Sequence, residues 1–387
     1  MSESERRARG LPRLDEALSL LHRPDNLADA ERGRRRLAFD ELFHLQIVQA
    51  QARRKATEVE PGISHQRSNE LIRPLHEALP FELTEAQARV LSEIYADMQM
   101  ERRMNRLLQG DVGAGKTIVA LFAMLLAAEG GYQSALMVPT EILAEQHLRK
   151  LRSVLQPLEV NVVLLTGSLK GHERSEALAA IESGSGRVII GTHALIQDSV
   201  TFQNLGLLIV DEQHRFGVMQ RSALQERGQK NPHTLIMSAT PIPRSMNLAL
   251  SGIYSISMLQ TPPKLRLPIN TRVEYFSDEI IKEAVDFEVG RGGQVFFVHN
   301  NITNIKNVVH RVRKLCSDLF VEFMHGQEPP SKIEKKMSLF VSGKIDVLVC
   351  TSIIESGIDV PNANCIIINN PQFFGLSQLY QMRGRVG

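Results

Sequence analysis

Tryptophan is absent from this chain and aromatic residues make up only 5% of it, which disfavours a binding face built on many base-stacking platforms. Cysteine is scarce as well. The three thiols, Cys316, Cys350 and Cys365, are odd in number and far apart. That argues against a disulfide framework and fits a reducing cytoplasm. No Cys/His cluster has zinc-site spacing. No run of about 18 apolar residues exists, so no membrane span is expected. The charged start MSESERRARG lacks the apolar stretch a secretory signal needs. A net charge of +2 is too small to advertise a polyanionic partner, so a nucleic-acid site must be a local patch. Low-complexity tracts and repeats of solenoid period are also missing.

What remains is an ordinary globular composition. Hydrophobic residues make up 43%, enough for real cores. At about 150 residues per domain, 387 residues suggest two domains with an appendage.

Residues 1–10 are polar and are expected to be loose. From 11 to about 55 the apolar spacing is helical, with Leu14, Leu18 and Leu21 on one face and a second apolar-rich helix over 37–52. The basic run ERGRRR between them reads as a solvated connector or as a phosphate contact. Residues 56–70 read as a linker. From Phe81 the texture changes. Strands are expected at 106–108, 134–138, 161–165, 187–190, 207–210 and 234–237, with helices over 117–128 and 141–155. After the proline-rich stretch 260–268 the alternation restarts. Strands are then expected at 271–276, 294–298, 321–324, 346–349 and 365–368, with helices over 278–289, 304–315 and 331–341. Apolar strands alternating with helices mean parallel sheets covered on both faces. The expected division is a helical and linker segment over 1–75, one α/β domain over 76–262 and a second over 263–387.

The segment Gly110-Asp111-Val112-Gly113-Ala114-Gly115-Lys116-Thr117 fits G-x-x-x-x-G-K-[ST], follows an expected strand and opens an expected helix. Glycines let backbone N–H groups wrap phosphates, and the helix N-terminus adds partial positive charge. Lys116 suits the β- and γ-phosphates of ATP, and the Thr117 hydroxyl suits Mg²⁺. The apolar run Leu207–Val210 ends in Asp211-Glu212-Gln213-His214. A carboxylate at the carboxyl end of a buried parallel strand points into the ligand crevice. Asp211 is the expected Mg²⁺ carboxylate, and Glu212 is placed to orient or deprotonate a water. His214 is either a relay between nucleotide and nucleic acid or a half-buried polar filler.

GDVGAGKT, DEQH, Ser238-Ala239-Thr240, TSIIESGIDVPNAN and QLYQMRGRVG follow one another in order. This series resembles the superfamily-2 helicases and translocases. Up to about residue 240 the chain resembles the RecG family, in LPRLDEALSLLHRP, GTHALIQ and DEQHRFGV. From about residue 245 it resembles the transcription-repair coupling factors (Mfd), in RGGQVFFVHNNITNI and IINNPQFFGLSQLYQMRGRVG. The resemblance implies two tandem RecA-like P-loop domains, the second cut short at Gly387, with an N-terminal helical linker.

It also implies roles for further residues. Phe81, Thr84 and Gln87 would form the adenine-reading segment; the plain alternative is a helix-capping Thr84 with a solvent-facing Gln87. Pro139, Thr140, Thr166, Gly167, Thr192 and His193 would touch the DNA backbone, though each is also an ordinary turn. Ser238 and Thr240 would couple hydrolysis to movement. Thr351, Glu355, Gly357 and Asp359 would touch nucleotide and nucleic acid. Phe297, His299 and Asn300 would meet the strand or serve as core and caps. Gln381, Arg383 and Arg385 form the last motif, with Arg385 as an arginine finger. A further Arg after Gly387 and a downstream helical hairpin are implied but lie outside the sequence.

The expected activity is an ATP-dependent DNA helicase or duplex-DNA translocase used in repair, recombination or fork remodelling. Its expected partners are ATP, Mg²⁺ and duplex, forked or branched DNA. It is expected to be a cytoplasmic monomer with no membrane contact, meeting protein partners through other domains. The alternative is a hydrolysis-poor fragment that binds ATP and nucleic acid.

Overall fold

A computed structural model of the chain describes residues 3–57, 62–211, 231–239, 254–260, 269–351 and 360–386. It separates an N-terminal helical unit from a larger unit that carries both sheets.

The helical unit holds α1 (Glu3–Ala8), α2 (Leu14–His22) and α3 (Leu27–Thr57). Two expectations are corrected here. Residues 3–8 are helical, not loose, with Arg7 donating to Glu3 across one turn at 2.6 Å. The run ERGRRR is no connector, because α3 continues through it for 31 residues. The residues flanking Gly33 are strong helix formers, and Gly33 is tolerated where α2 approaches. A Cβ on Gly33 would lie 2.6 Å from the Ala17 carbonyl oxygen. Within the run, Arg36 is buried and pairs with Asp40 at 2.7 Å.

The larger unit begins with residues 62–71, all but the last within the segment 56–70 expected as a linker. They have little regular structure but are pinned down. The Ser64 hydroxyl donates to the Gln99 carbonyl, and the His65 N–H donates to the Met98 carbonyl. The helix α4 (Ile72–Ala78) follows. The Glu129 carboxylate accepts from the backbone N–H groups of Ser68, Asn69, Leu71 and Ile72 at 2.9–3.2 Å. One anionic side chain thereby satisfies the orphan donors at the start of α4.

Among the described residues the first lobe is a seven-stranded sheet. Its strands are β1 (Asn105–Gly110), β2 (Gln133–Met137), β3 (Val162–Leu165), β4 (Val188–Gly191), β5 (Leu205–Asp211), β6 (His233–Ser238) and β7 (Ser255–Leu259). Their spatial order is β3-β4-β2-β5-β6-β1-β7. Every pairing is parallel, so all carboxyl ends share one edge. The helices α5 (Glu85–Met98), α6 (Lys116–Glu129), α7 (Glu141–Leu155) and α8 (Gly171–Glu182) cover the faces. Nine consecutive residues of α6, Val119 to Ala127, are buried. That matches its uniformly apolar sequence.

β7 was not anticipated. It pairs with β1 from Arg106↔Ser255 to Gly110↔Leu259 and so belongs to the first sheet. The second lobe has a parallel sheet of order β11-β8-β10-β9, from β8 (Val295–His299), β9 (Val321–Met324), β10 (Val347–Cys350) and β11 (Cys365–Asn369). Its helices are α9 (Asp278–Gly290), α10 (Ile305–Leu315), α11 (Pro330–Val341) and α12 (Leu376–Arg383). The strand expected at 271–276 does not form. Its alternation is real, but Val273 and Tyr275 are about nine-tenths exposed and the segment joins neither ladder among the described residues. All three thiols are free, as expected. Among the described residues no helix is long and apolar enough to cross a membrane.

Candidate nucleotide and nucleic-acid site

The shared carboxyl edge of the first sheet collects most of the residues singled out above. At its right half, β1 ends at Gly110 and the loop runs into α6. Gly113 and Gly115 have φ of +79° and +86°, a region that disfavours any side chain. A Cβ on Gly115 would also lie 2.2 Å from Gln87 Nε2. Lys116 Nζ donates to the carbonyls of Gly110 and Asp111 at 2.7 and 2.8 Å, folding its charge over the loop. Thr117 is half-buried in the first turn of α6.

Gln87 holds this loop. Thr84 caps α5, its hydroxyl accepting from the Gln87 N–H, while the Gln87 side-chain oxygen accepts from the Thr84 N–H. Gln87 Nε2 then donates to the Ala114 carbonyl at 3.0 Å. The capping alternative is therefore half right: Thr84 caps, but Gln87 is buried rather than solvent-facing. Phe81 is exposed just ahead of the helix.

β5 and β6 bring in the next groups. Asp211 ends β5 opposite Met237, and Ser238 ends β6 opposite Gln109 of β1. Gly110, Asp211 and Ser238 thus stand at adjacent strand ends. Glu212, His214 and Thr240 lie outside the described residues. No group of three or more His, Cys, Asp or Glu among the described residues is placed to hold a metal alone. Mg²⁺ is commonly held by one or two carboxylates plus nucleotide phosphates, so Thr117 and Asp211 beside a phosphate loop fit it. One neighbour of Asp211 was missed in the sequence. His147, on α7, lies with Nε2 3.8 Å from Asp211 Oδ2.

The left half of the edge carries the turns after β2, β4 and β3. Pro139 and Thr140 follow β2, and the Thr140 hydroxyl caps α7 by accepting from the Leu143 N–H. Thr166 and Gly167 follow β3. The Thr166 hydroxyl meets that of Ser168 at 3.0 Å, and the Ser168 N–H donates to Glu141 Oε1. Thr192 follows β4 with His193 beyond it. Its hydroxyl is buried and has no partner among the described residues. The Val138 N–H donates to the Gly191 carbonyl, which ties the β2 and β4 turns together.

In the second lobe Thr351 is buried just after β10. Glu355, Gly357 and Asp359 lie outside the described residues. Phe297 and His299 take the packing alternative. Phe297 is fully buried in the core. His299 accepts from the Asn369 amide at Nδ1 and donates from Nε2 to Asn304 Oδ1, so both its nitrogens are used. Asn300 is exposed and donates to the Phe373 carbonyl. Gln381 is buried on α12 and Arg385 is half-buried beyond it. Arg383 is exposed, its guanidinium 5.2 Å over the Tyr380 ring. Between these residues, Gly384 rests on the phosphate loop: a Cβ there would lie 2.8 Å from Val112 Cβ. Elsewhere between the lobes, burial and then the charges of Glu141 and Glu145 push the Glu334 carboxyl upward.

The sequence model described as DEAD/DEAH box helicase matches residues 84–248, and that of the helicase conserved C-terminal domain matches 274–387. The ATP-dependent DNA helicase RecG of Synechocystis sp. is 43% identical over 384 residues, spanning 97% of this chain and 46% of that protein. RecG of Thermotoga maritima is 44% identical over 379 residues, 95% of this chain and 48% of its own. The transcription-repair-coupling factor of Helicobacter pylori is 47% identical over 307 residues, 79% of this chain and 30% of its own. A solved structure of RecG bound to a three-way DNA junction superposes with a TM-score of 0.84 at 41% identity, covering all of this chain and 52% of that one. The chain spans about half the length of the curated relatives it matches.

Proposed function

The chain belongs to the superfamily-2 helicases and translocases, and from that premise we propose that it is the ATP-driven motor of a RecG-type DNA helicase that acts on duplex, forked or branched DNA in repair, recombination or fork remodelling. The observation that carries this is the seating of Gly384 against Val112. It brings the motif containing Gln381 and Arg385 to the phosphate loop, which a two-lobed ATPase requires and a single-lobed kinase does not.

The proposed roles follow from the chemistry of each group. The left-handed Gly113 and Gly115 turn loop amides toward the phosphates, helped by the N-terminus of α6. Lys116 exchanges its two loop carbonyls for β- and γ-phosphate oxygens. Phe81 offers a ring face to the adenine, while Gln87 sets the loop beneath it. Thr117 and Asp211 would hold Mg²⁺, which neutralises phosphate charge when bound. Glu212 orients the attacking water, and Arg385 meets charge developing on the γ-phosphate. Gly357, Asp359 and Gln381 complete the nucleotide site from the second lobe. His214, Ser238 and Thr240 couple the two ligand sites.

Pro139, Thr140, Thr166, Gly167, Thr192 and Thr351 are assigned to the DNA backbone, where small hydroxyls and turn N–H groups suffice and no base is read. The three first-lobe turns stand beside the nucleotide half of the same edge. Closure of the second lobe on ATP and its release after hydrolysis would then shift one grip relative to the other.

Steady-state ATPase with and without forked duplex DNA tests this, with Lys116→Ala as the blank. Turnover that needs Mg²⁺, rises with DNA and vanishes in the variant is expected. ATP binding without DNA-stimulated turnover would reduce the chain to a binding module.

A further inference from the structure

His147 belongs to none of the motifs, yet it is 8% exposed and faces the nucleotide edge from α7. Its two nitrogens have different surroundings. Nδ1 is buried with no hydrogen-bond partner among the described residues. Nε2 is 3.8 Å from Asp211 Oδ2. A buried N–H without an acceptor is rarer than a buried acceptor without a donor. The ring proton is therefore best placed on Nε2, facing the carboxylate. At 3.8 Å the pair is too long for a hydrogen bond, but an approach of about 1 Å would make one. A carboxylate that ligates a metal keeps its orientation through the bond its other oxygen accepts.

We infer that His147 is a positioning residue of the motor, its Nε2–H fixing one oxygen of Asp211 so that the other is presented to Mg²⁺ beside Thr117. That role rests on the assignment of Asp211 as the metal carboxylate. Its place in the fold gives it a second consequence. α7 is capped by Thr140, two turns earlier and assigned to the DNA backbone. One helix thus joins a strand contact to the group that aims the metal carboxylate. His147 should accordingly govern metal affinity and turnover, and leave the affinity for metal-free nucleotide nearly untouched.

The test uses the full chain as wild type, His147→Gln, His147→Leu and His147→Asn. Mn²⁺ binding in the presence of ADP is followed by electron paramagnetic resonance, alongside DNA-stimulated kcat and KM for ATP. Gln places an amide nitrogen where Nε2 lies, Asn places it where Nδ1 lies, and Leu has none. His147→Leu and His147→Asn are expected to weaken Mn²⁺ binding and lower kcat about 10-fold or more, as is typical for lost partners of metal ligands. Affinity for metal-free ADP should change less than about two-fold, because nucleotide contacts are untouched, and KM for metal–ATP should rise by no more than the fold-loss in Mn²⁺ affinity. His147→Gln should recover most of both losses. If His147→Leu does not fold, the contrast between Gln and Asn decides. Wild-type Mn²⁺ affinity and kcat in His147→Asn, or losses in His147→Gln equal to those in His147→Asn, would overturn the inference alone. Absence of nucleotide-dependent Mn²⁺ binding by the wild-type chain would overturn it together with the assignment of Asp211.

Discussion

Gly384 sits on Val112 so closely that a Cβ added to Gly384 would lie 2.8 Å from both Val112 Cβ and Cγ2. One residue belongs to the last motif of the second lobe and the other to the phosphate loop of the first. Gly384 is also the C-cap of α12, with φ of −70°, so its backbone conformation does not demand glycine. The requirement is room.

Gly384→Ala should therefore leave the fold intact and impair the cleft. A displacement of the order of 1 Å between catalytic groups can cost about 100-fold, so a 10- to 100-fold fall in kcat is expected with an unchanged melting temperature. Adding Val112→Gly removes the obstructing side chain and should restore part of the activity. An active Gly384→Ala single variant would show that the lobes do not work through this contact.

Gly115→Ala should be harsher, because both backbone and space oppose it. Holding a non-glycine residue at φ +86° costs about 1–2 kcal/mol, and the new Cβ would displace Gln87 from the Ala114 carbonyl. Equilibrium unfolding in urea should register that loss of stability. A fluorescent ADP analogue should bind roughly 5- to 30-fold more weakly if the same 1–2 kcal/mol falls on the bound loop, since 1.4 kcal/mol corresponds to one decade. Unchanged binding would mean the glycine is not needed for the loop's shape.

Glu129→Ala removes the acceptor from four backbone N–H groups at once. Most of these donors can turn to water, so the expected loss is roughly 2–3 kcal/mol rather than four full hydrogen bonds. Amide hydrogen exchange should accelerate over residues 68–75 first. Glu129→Gln keeps an acceptor without the charge and should fall between the two. Unaltered exchange in Glu129→Ala would remove the carboxylate from the role given to it.

Stability should fall on mild acidification because of two buried histidines on the opposite edge of the first sheet. Burial, reinforced by the neighbouring His233, pushes His65 down to about 3. Burial also pushes His233 down to about 4, opposed by its bond to the Ile63 carbonyl. Below the ordinary value of 6.5 the unfolded chain takes up protons that the folded chain refuses. Stability is therefore full above pH 6.5 and declines as pH falls toward 4, by up to about 1.4 kcal/mol per pH unit for each histidine. Urea midpoints between pH 7.5 and 5 should show this slope, and His65→Phe should flatten it. An equal slope in the variant would assign the decline to other groups.

The loop and strand ends of the candidate nucleotide half were largely legible in the sequence, because their information is local. GDVGAGKT fixes the loop, and the apolar run before Asp211 fixes the strand end. The same holds for most strands, whose bounds shift by a residue or two. What escaped depends on partners distant in sequence. Residues 255–259 and 271–276 alternate alike, but only the first finds a free edge beside β1. The run ERGRRR reads as a connector until Gly33 is seen packed against Ala17 of α2. His147 lies 64 residues from Asp211 and belongs to no spacing rule. Gln87 reads as a ligand-facing amide, and its bonds to Thr84 and Ala114, which no local pattern announces, tie it to the loop as well.

The burial of α6 on all sides decides which part of this machine can move. A helix wedged over nine successive residues has no soft direction in which to tilt without opening voids in a close-packed core. Its first residue is Lys116 and its last is Glu129, which ties down residues 68–72. If the chain works as the motor proposed above, its phosphate loop is mounted on a stator, and displacement during a cycle falls to the lobe carrying Gly384. Substitutions that loosen α6 should let the loop yield instead, so that ATP would still be split while less of each stroke reached the DNA.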